Sequence, residues 1–521
     1  MMPRPHRLAP ILLLSIAPFA WFYAGNLHEP IRWGDLALYA LCTSAFALAL
    51  VVALEALPRS RPGRAAGGVA VAVFLFFHYH GMANAGVEIG YSPDGAALLY
   101  GSVALGAIAI GTLLGTRRGF QQFLLVFAMI NLAVPTVLIA IDRSSTALER
   151  TRPPLEHELA GNDVWTGTPQ REPNVYWIVV DSYPNARDLL DFYGFDNRVF
   201  VDDLRARGFT VIPDSYANYS TTLLSVPSTL EMDYVFDQED PVYEVPRAGS
   251  WRRLPGLTRS GVNASIGGDN RSVSFFRALG YRYIHYEGGL FLVTRCQGTE
   301  DVCLEGGSTG LSDLDSRLVA LTPLQWFFSN LDAFPVPLRP RTPAASGTGI
   351  PELQADLEER PLPEPFFLYA HIASPHPPYT NDALCNLLPL EFDRSGNRHF
   401  LAQLQCVNLQ LLELLDSIVE RDPEAIVLVS ADHGPRLSVR KGTSLYALSK
   451  RQLRESLSIL QAFRAPPECM ASLTTDLAPV NSLRWVFACL GNEPPRWKPQ
   501  HHFIARSDAP ERGRVRKVSL D

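Results

Sequence analysis

Asp432 and His433 stand side by side directly after the apolar run Ile426-Val-Leu-Val-Ser430, and Gly434 follows them. An adjacent carboxylate and imidazole offer a hard oxygen and a borderline nitrogen, a mixture suited to Mn or Zn more than to Mg or Ca. Two other apolar runs also end in polar residues. Val175-Tyr-Trp-Ile-Val-Val180 runs into Asp181-Ser182, and Phe366-Phe-Leu-Tyr-Ala-His371 leads to Ser374-Pro-His376-Pro-Pro-Tyr379. Open α/β sheets place ligand sites at the carboxyl ends of their strands, so two carboxylates and two imidazoles are expected to converge at one rim. Taken singly, an Asp after a strand is a turn former and a lone His a satisfied polar residue. As a set, Asp181, Asp432 and His433 favour one divalent metal ion.

Between Asp214 and Tyr234 the chain is dense in hydroxyls, including Thr221, Thr222, Ser225 and Ser228. Pro227 is tolerated in a first helical turn, so a helix is expected to begin close to Thr222 or Ser225. Its free amides would face an anion, and a hydroxyl nucleophile there would have its alkoxide stabilised by a metal and by those amides. Standing alone, the same segment reads as a plain Ser/Thr cap.

The elements that must hold these residues follow from periodicity. After about residue 173, strand-like apolar runs alternate with amphipathic helical patterns, which implies a mainly parallel sheet covered on both faces. One helix is expected to begin near Asn270, to present Val273, Phe276 and Leu279, and to stop at Gly280. Another, over Leu401 to Val419, places Leu404, Leu411, Leu412 and Leu415 at helical spacing. Residues 142–173 are polar and read as a juxtamembrane linker. The expected division is therefore 1–141, 142–173, a domain over 174–500, and a tail over 501–521.

The first 141 residues hold five apolar stretches, Leu8–Gly25, Leu36–Leu57, Ala65–Ala85, Ala96–Gly115 and Phe120–Ile141. Each is close to the about 20 residues that cross a bilayer. Basic residues alternate between the loops: Arg4 and Arg7, then Arg59, Arg61 and Arg64, then Arg117 and Arg118, against Arg32 alone on the opposite side. Positive loops stay cytoplasmic, so the start of the chain is expected inside and everything after Ile141 outside. Six of the seven cysteines, Cys296, Cys303, Cys385, Cys406, Cys469 and Cys489, fall in the exported part, with Cys42 in a span. Disulfides are expected there; 15 connectivities are open, with neighbouring pairs the simplest. The net charge of -7 gives no sign of nucleic-acid binding. Ionisable residues in the spans are few, namely Glu55, His78 and His80 toward their ends, which argues against a transporter's ion path.

Together these features resemble the alkaline phosphatase and sulfatase superfamily, and within it the membrane-anchored branch that includes lipoteichoic acid synthases and phosphoethanolamine transferases. The resemblance implies five membrane helices before an exported three-layer α/β catalytic domain in a cell inner or plasma membrane. It puts a first acidic metal ligand on Asp181, the Asp-His ligand pair on Asp432 and His433, and the phosphate-holding loop on Ser374-Pro-His376-Pro. It makes Thr222 a nucleophile and metal ligand, standing three residues before Ser225. The chain departs from that branch at Asp181, where Glu is general. Ser225-Val-Pro227-Ser228 matches most of a sulfatase signature and leaves Ser225 as the alternative nucleophile, but Thr229 replaces the Arg that should follow.

The activity this implies is transfer of a phospho-linked headgroup from a phospholipid to a lipid or glycan, through a covalent threonine intermediate and with help from His376. An enzyme whose donor lies in the bilayer gains effective concentration by standing on it. Two other readings remain: a surface sulfatase or phosphoester hydrolase acting on an anionic ester, and a catalytically silent membrane binding module. Arg252, Arg253, Arg271 and Arg277 are candidates to meet an anionic group.

Overall fold

The structure is a computed structural model. It describes residues 5–25, 33–57, 63–88, 91–149, 164, 169–235, 242–244, 259–288, 296–305, 318–319, 321–324, 348–377, 379–386, 388, 396–439, 443–444, 446–505 and 514–520. Arg4, Arg32, Arg59, Arg61, Arg252 and Arg253 lie outside the described residues, as does most of 150–168. The chain divides into two units, residues 1–153 with 314–339, and residues 154–313 with 340–521.

The first unit is helical: α1 (Pro5–Gly25), α2 (Trp33–Glu55), α3 (Arg64–Phe77), α4 (Tyr79–Glu88), α5 (Pro93–Leu114) and α6 (Arg118–Glu149). Four of these helices, α1, α2, α5 and α6, are long and apolar enough to cross a membrane. The third expected span is not one straight helix. It breaks at His78 into α3 and α4, which meet at 64°. His78 leaves helical geometry at φ -105, ψ 9, and its Nδ1 donates back to the Phe74 carbonyl at 2.7 Å. Against the five spans expected, the described residues hold four helices long and apolar enough to cross a membrane, or five if the bent pair counts as one. Helices α3 and α5 meet along glycine: a Cβ at Gly67 would stand 2.4 Å from the Gly111 carbonyl oxygen, the close approach that small residues permit between apolar helices. The sixth helix runs on to Glu149, into the segment expected as linker. Residues 314–339 also group with this unit, inside the stretch expected to be wholly catalytic, and the His80 amide donates to the Leu321 carbonyl at 3.4 Å.

The second unit is an α/β domain. In chain order it contains β1 (Val175–Val180), α7 (Ala186–Tyr193), α8 (Arg198–Ala206), β2 (Thr210–Val211), α9 (Thr222–Glu231), β3 (Val242–Glu244), α10 (Arg259–Ile266), α11 (Arg271–Ala278), β4 (Arg282–Glu287), β5 (Val302–Glu305), α12 (Ile350–Glu359) and β6 (Phe366–Ile372). It continues through α13 (Asn397–Arg421), β7 (Ile426–Ser430), α14 (Lys450–Leu457), β8 (Gln461–Arg464), α15 (Ser482–Gly491), β9 (His502–Ala505) and β10 (Arg514–Val518). Seven strands form a mixed sheet in the order β2-β8-β7-β1-β6-β4-β5. The five strands from β7 to β5 are parallel, and β8 runs antiparallel to both its neighbours.

Every residue of β1, β6 and β7 is buried, which is why these strands read as unbroken apolar runs rather than alternating ones. Alternate residues feed two cores. Trp177 and Val179 pack with Leu224 and Leu230 of α9, Phe276 of α11 and Phe487 of α15. Tyr176, Ile178 and Val180 pack with Leu204 of α8, Leu357 of α12 and Leu404, Leu411 and Leu415 of α13. The result is three layers, helix on sheet on helix. The two foreseen helices are present: Asn270 caps α11 through its side chain, which accepts from the Val273 amide, and Gly280 follows at φ 90.

Residues 501–521, expected as a tail, instead contain β9 and β10, which build a small antiparallel sheet with β3. Phe503 is fully buried against Tyr219 at 5.1 Å, so this segment carries core residues that a solvated tail would leave in water. The cysteines pair as neighbours, Cys296–Cys303, Cys385–Cys406 and Cys469–Cys489, the simplest of the connectivities that spacing left open.

Candidate metal centre

Parallel pairing of β1 with both β6 and β7 brings three carboxyl ends together. Val179 lies opposite His371 on one side and Ser430 on the other. The residues just beyond, Asp181 after β1 and Asp432-His433 after β7, therefore share one rim. Gly434 completes this turn because nothing larger fits: a Cβ there would stand 1.8 Å from the Glu455 carbonyl oxygen.

Helix α9 begins at Thr222, as expected from the hydroxyl-rich segment, with Thr221 as the N-cap residue. Pro227, however, lies in the second turn rather than the first. Its ring nitrogen has no proton for the Leu223 carbonyl, and the helix tolerates this while burying Leu224, Val226 and Leu230. The chain entering α9 is pinned from the C-terminal segment. The Ser220 amide donates to Phe503 O at 3.2 Å, and the Ala505 amide to Ser220 Oγ at 3.0 Å. Arg436, at φ 56, adds its guanidinium to the carbonyl and hydroxyl of Ser220.

One ligand atom from each of Asp181, Asp432 and His433 lies within 4.8 Å of the others. His433 Nε2 is 3.7 Å from Asp181 Oδ1 and 3.5 Å from Asp432 Oδ2. Thr222 Oγ1 stands 3.2 Å from the same Nε2. His433 Nδ1 donates to the Gly434 carbonyl at 2.9 Å, so in the neutral ring Nε2 keeps its lone pair. Asp432 Oδ2 is buried and receives no hydrogen bond, a costly state for a carboxylate oxygen unless a cation meets it. Carboxylate oxygens, an imidazole lone pair and a hydroxyl that converge in this way fit a divalent metal ion.

Sequence reasoning missed His371 as a site residue. It is fully buried, and its Nε2 donates to Asp181 Oδ2 at 3.4 Å while Nδ1 accepts from Tyr369 Oη at 3.0 Å. Burial opposes ionisation of Asp181, but the charges of His376, His433 and His371 and the His371 hydrogen bond outweigh it and hold the carboxyl well below the ordinary carboxylate range. Burial likewise works against a charge on His371, yet the bond to Asp181 and the charges of Asp432 and Asp181 raise it above its ordinary value. The clue was positional: His371 is the last residue of the foreseen strand, at the rim of a sheet with ligands on both sides.

His376 is half-buried in the loop after β6, its Nδ1 donating to the Pro377 carbonyl at 2.7 Å. Ser225, one turn along α9 from Thr222, is buried, and its hydroxyl donates to the Asp432 carbonyl at 2.6 Å. Thr229 Oγ1 in turn donates to the Ser225 carbonyl at 3.0 Å. The foreseen anion contacts look different. Arg277 pairs with Asp301 at 3.1 Å, and the Arg271 guanidinium lies over the Phe275 ring at 5.7 Å.

At the strand ends of this mixed α/β sheet two carboxylates, an imidazole and a threonine hydroxyl gather in an arrangement that could hold a metal ion. No family model and no curated protein matches the sequence. Among solved structures the chain is similar to the C-terminal periplasmic domain of EcEptC from Escherichia coli in complex with Zn, at 10% identity and a TM-score of 0.42, covering 65% of this chain and 91% of that one. It is similar also to the integral membrane protein lipooligosaccharide phosphoethanolamine transferase A from Neisseria meningitidis, at 13% identity and 0.39, covering 95% and 97%. A 2-O GAG sulfatase matches at 13% identity and 0.35, covering 64% and 78%.

Proposed function

We propose that the chain is a membrane-anchored, metal-dependent phosphotransferase that moves a phospho-linked headgroup from a phospholipid to a lipid or glycan acceptor, with its catalytic unit outside the cytoplasm. The observation that carries the reading is the 3.2 Å approach of Thr222 Oγ1 to His433 Nε2 inside the Asp181, Asp432 and His433 cluster. Those three residues, with Thr222, would hold the ion. When bound, a divalent ion acidifies a hydroxyl beside it and neutralises charge on a phosphoryl oxygen.

The chain's own residues supply the rest. Thr222, at the first position of α9, meets the anionic ester with the free amides of that helix start. Its hydroxyl proton leaves to solvent, and its oxygen forms a bond to phosphorus as the bond to the leaving alcohol breaks. His376, with Nδ1 tied to the Pro377 carbonyl, has Nε2 free of that bond to deliver the proton the leaving oxygen takes up. In the second half the acceptor hydroxyl gives its proton back to His376 and displaces Thr222 from phosphorus, and Thr222 takes a proton from solvent.

Ser225 suits this role less, because its hydroxyl is buried and committed to the Asp432 carbonyl. That commitment also weighs against a sulfatase that uses Ser225. The membrane helices favour a donor in the bilayer. The test is to incubate the full chain in lipid bilayers with defined phospholipids, follow headgroup loss, and map the trapped adduct by mass. Adduct on Thr222 with a diacylglycerol product is expected. Adduct on Ser225, or no turnover of any phospholipid or phosphodiester, would overturn the assignment.

A further inference from the structure

Ser182 follows the foreseen ligand Asp181 and touches three ligand residues at once. It is buried and adopts φ 64, a left-handed conformation that residues other than Gly, Asn and Asp seldom take. In this conformation its hydroxyl donates to Asp181 Oδ1 at 2.8 Å. The same oxygen lies 3.4 Å from His433 Nδ1, whose proton it can share with the Gly434 carbonyl. Its amide donates to Asp432 Oδ1 at 3.3 Å, the oxygen that also accepts from the His433 amide at 2.9 Å.

The pattern of what is bonded and what is left free is informative. Asp432 is held through Oδ1, so Oδ2 is the atom with no hydrogen bond. His433 is held through Nδ1, so Nε2 faces Asp181, Asp432 Oδ2 and Thr222. A strained backbone persists where its surroundings over-determine it, and such positions gather at functional sites. Partners that orient ligands from behind fix the tautomer and aim of the ligating atom.

We infer that Ser182 is a positioning residue for the metal centre: its left-handed backbone and hydroxyl together aim Asp181, Asp432 and His433 at one point. The inference rests on the metal reading of the site. It assigns two contacts to one residue, an amide that holds Asp432 Oδ1 and a hydroxyl that bridges carboxylate and imidazole.

Two variants of the full chain in detergent test the hydroxyl, with Zn(II) and Co(II) ions alone as probes. Ser182→Ala removes the hydroxyl and keeps the disfavoured backbone; Ser182→Gly removes the hydroxyl and relieves the backbone. Both are expected to raise the Zn(II) dissociation constant by about 10- to 100-fold and to change the visible absorption of the Co(II) form. The ion-free thermal midpoint of Ser182→Gly should not fall, which separates aim from folding. If Ser182→Gly bound Zn(II) as wild type does, with the same Co(II) spectrum, the hydroxyl would have no positioning role and the inference would be overturned alone. If wild type took up neither ion, the inference would fall together with the metal reading.

Discussion

Thr222 Oγ1 and His433 Nε2 stand 3.2 Å apart, although 211 positions separate the two residues in the chain. One begins a helix and the other follows a strand, so the proposed nucleophile and the proposed ligand are held by different elements. Thr222→Ala should therefore abolish turnover, by at least about 10⁴-fold as for other nucleophile deletions, while the remaining ligands keep the ion. Headgroup release and Zn(II) stoichiometry measured on the same preparation check both halves. Residual activity near wild type would remove Thr222 from the reaction.

The orphaned Asp432 Oδ2 gives a prediction about metal removal. An ion that binds only the folded site at about 100 times its dissociation constant stabilises by about 2.7 kcal/mol. A chelator should lower the unfolding midpoint of wild type and leave Asp432→Ala unmoved. Equal shifts in both would mean that the ion binds elsewhere.

The pair Asp181 and His371 sets the pH behaviour of the ion-free protein. Asp181 is held below its ordinary value of 3.8, so its contribution is present above that pH and lost as pH falls through its folded value. His371 is raised above its ordinary 6.5, so its contribution is full below 6.5 and lost as pH rises through its folded value. The contribution of this pair to urea midpoints in chelator should be greatest between about pH 4 and 6.5, and His371→Gln should remove its part of the alkaline decline. An unchanged profile in that variant would exclude the pair as its origin.

Glu231, at the far end of the helix that starts with Thr222, shows the opposite sign. Burial, with the nearby charges of Asp269 and Asp233, outweighs its bond from the Arg271 amide and pushes it up to about 7 from 4.5. The folded state then binds more protons than the unfolded one between those values, so stability declines as pH rises through them. Glu231→Gln should remove that decline, raising the denaturant midpoint at pH 8 more than at pH 5.

The disulfide Cys469–Cys489 ties the short helix Pro467–Met470, which follows β8, to α15, across 20 positions. Closing a loop of that size restricts the unfolded chain by about 3 kcal/mol. The double variant Cys469→Ala, Cys489→Ala should lose roughly that amount in chemical unfolding, with Zn(II) affinity retained because the bridge touches none of the ligands.

Much of this protein is legible from local pattern. Unbroken apolar runs marked β1, β6 and β7, since strands buried on both faces have no polar side to show. Asn270 and Gly280 marked the ends of α11 because caps are chosen by backbone geometry within a few residues. Asp181, Asp432 and His433 could be named because they follow those strands directly. The bend in the third apolar stretch was not legible for the same reason: its composition is apolar throughout, and a 64° bend at one histidine leaves hydropathy unchanged.

What the sequence by itself determined is which residue types stand at the end of which buried strand. Only the tertiary structure decided which of their atoms meet. His371 reaches Asp181 through the register of β6 on β1, Ser182 contacts Asp181, Asp432 and His433 together, and the Ser225 hydroxyl bonds to the Asp432 carbonyl. The segment after residue 500 became β9, pinning the entry to α9, because Phe503 found a buried partner in Tyr219. Periodicity reports the face a residue lies on. Contacts between residues some 200 positions apart depend instead on strand order and register, which the chain settles only when the whole sheet closes its core.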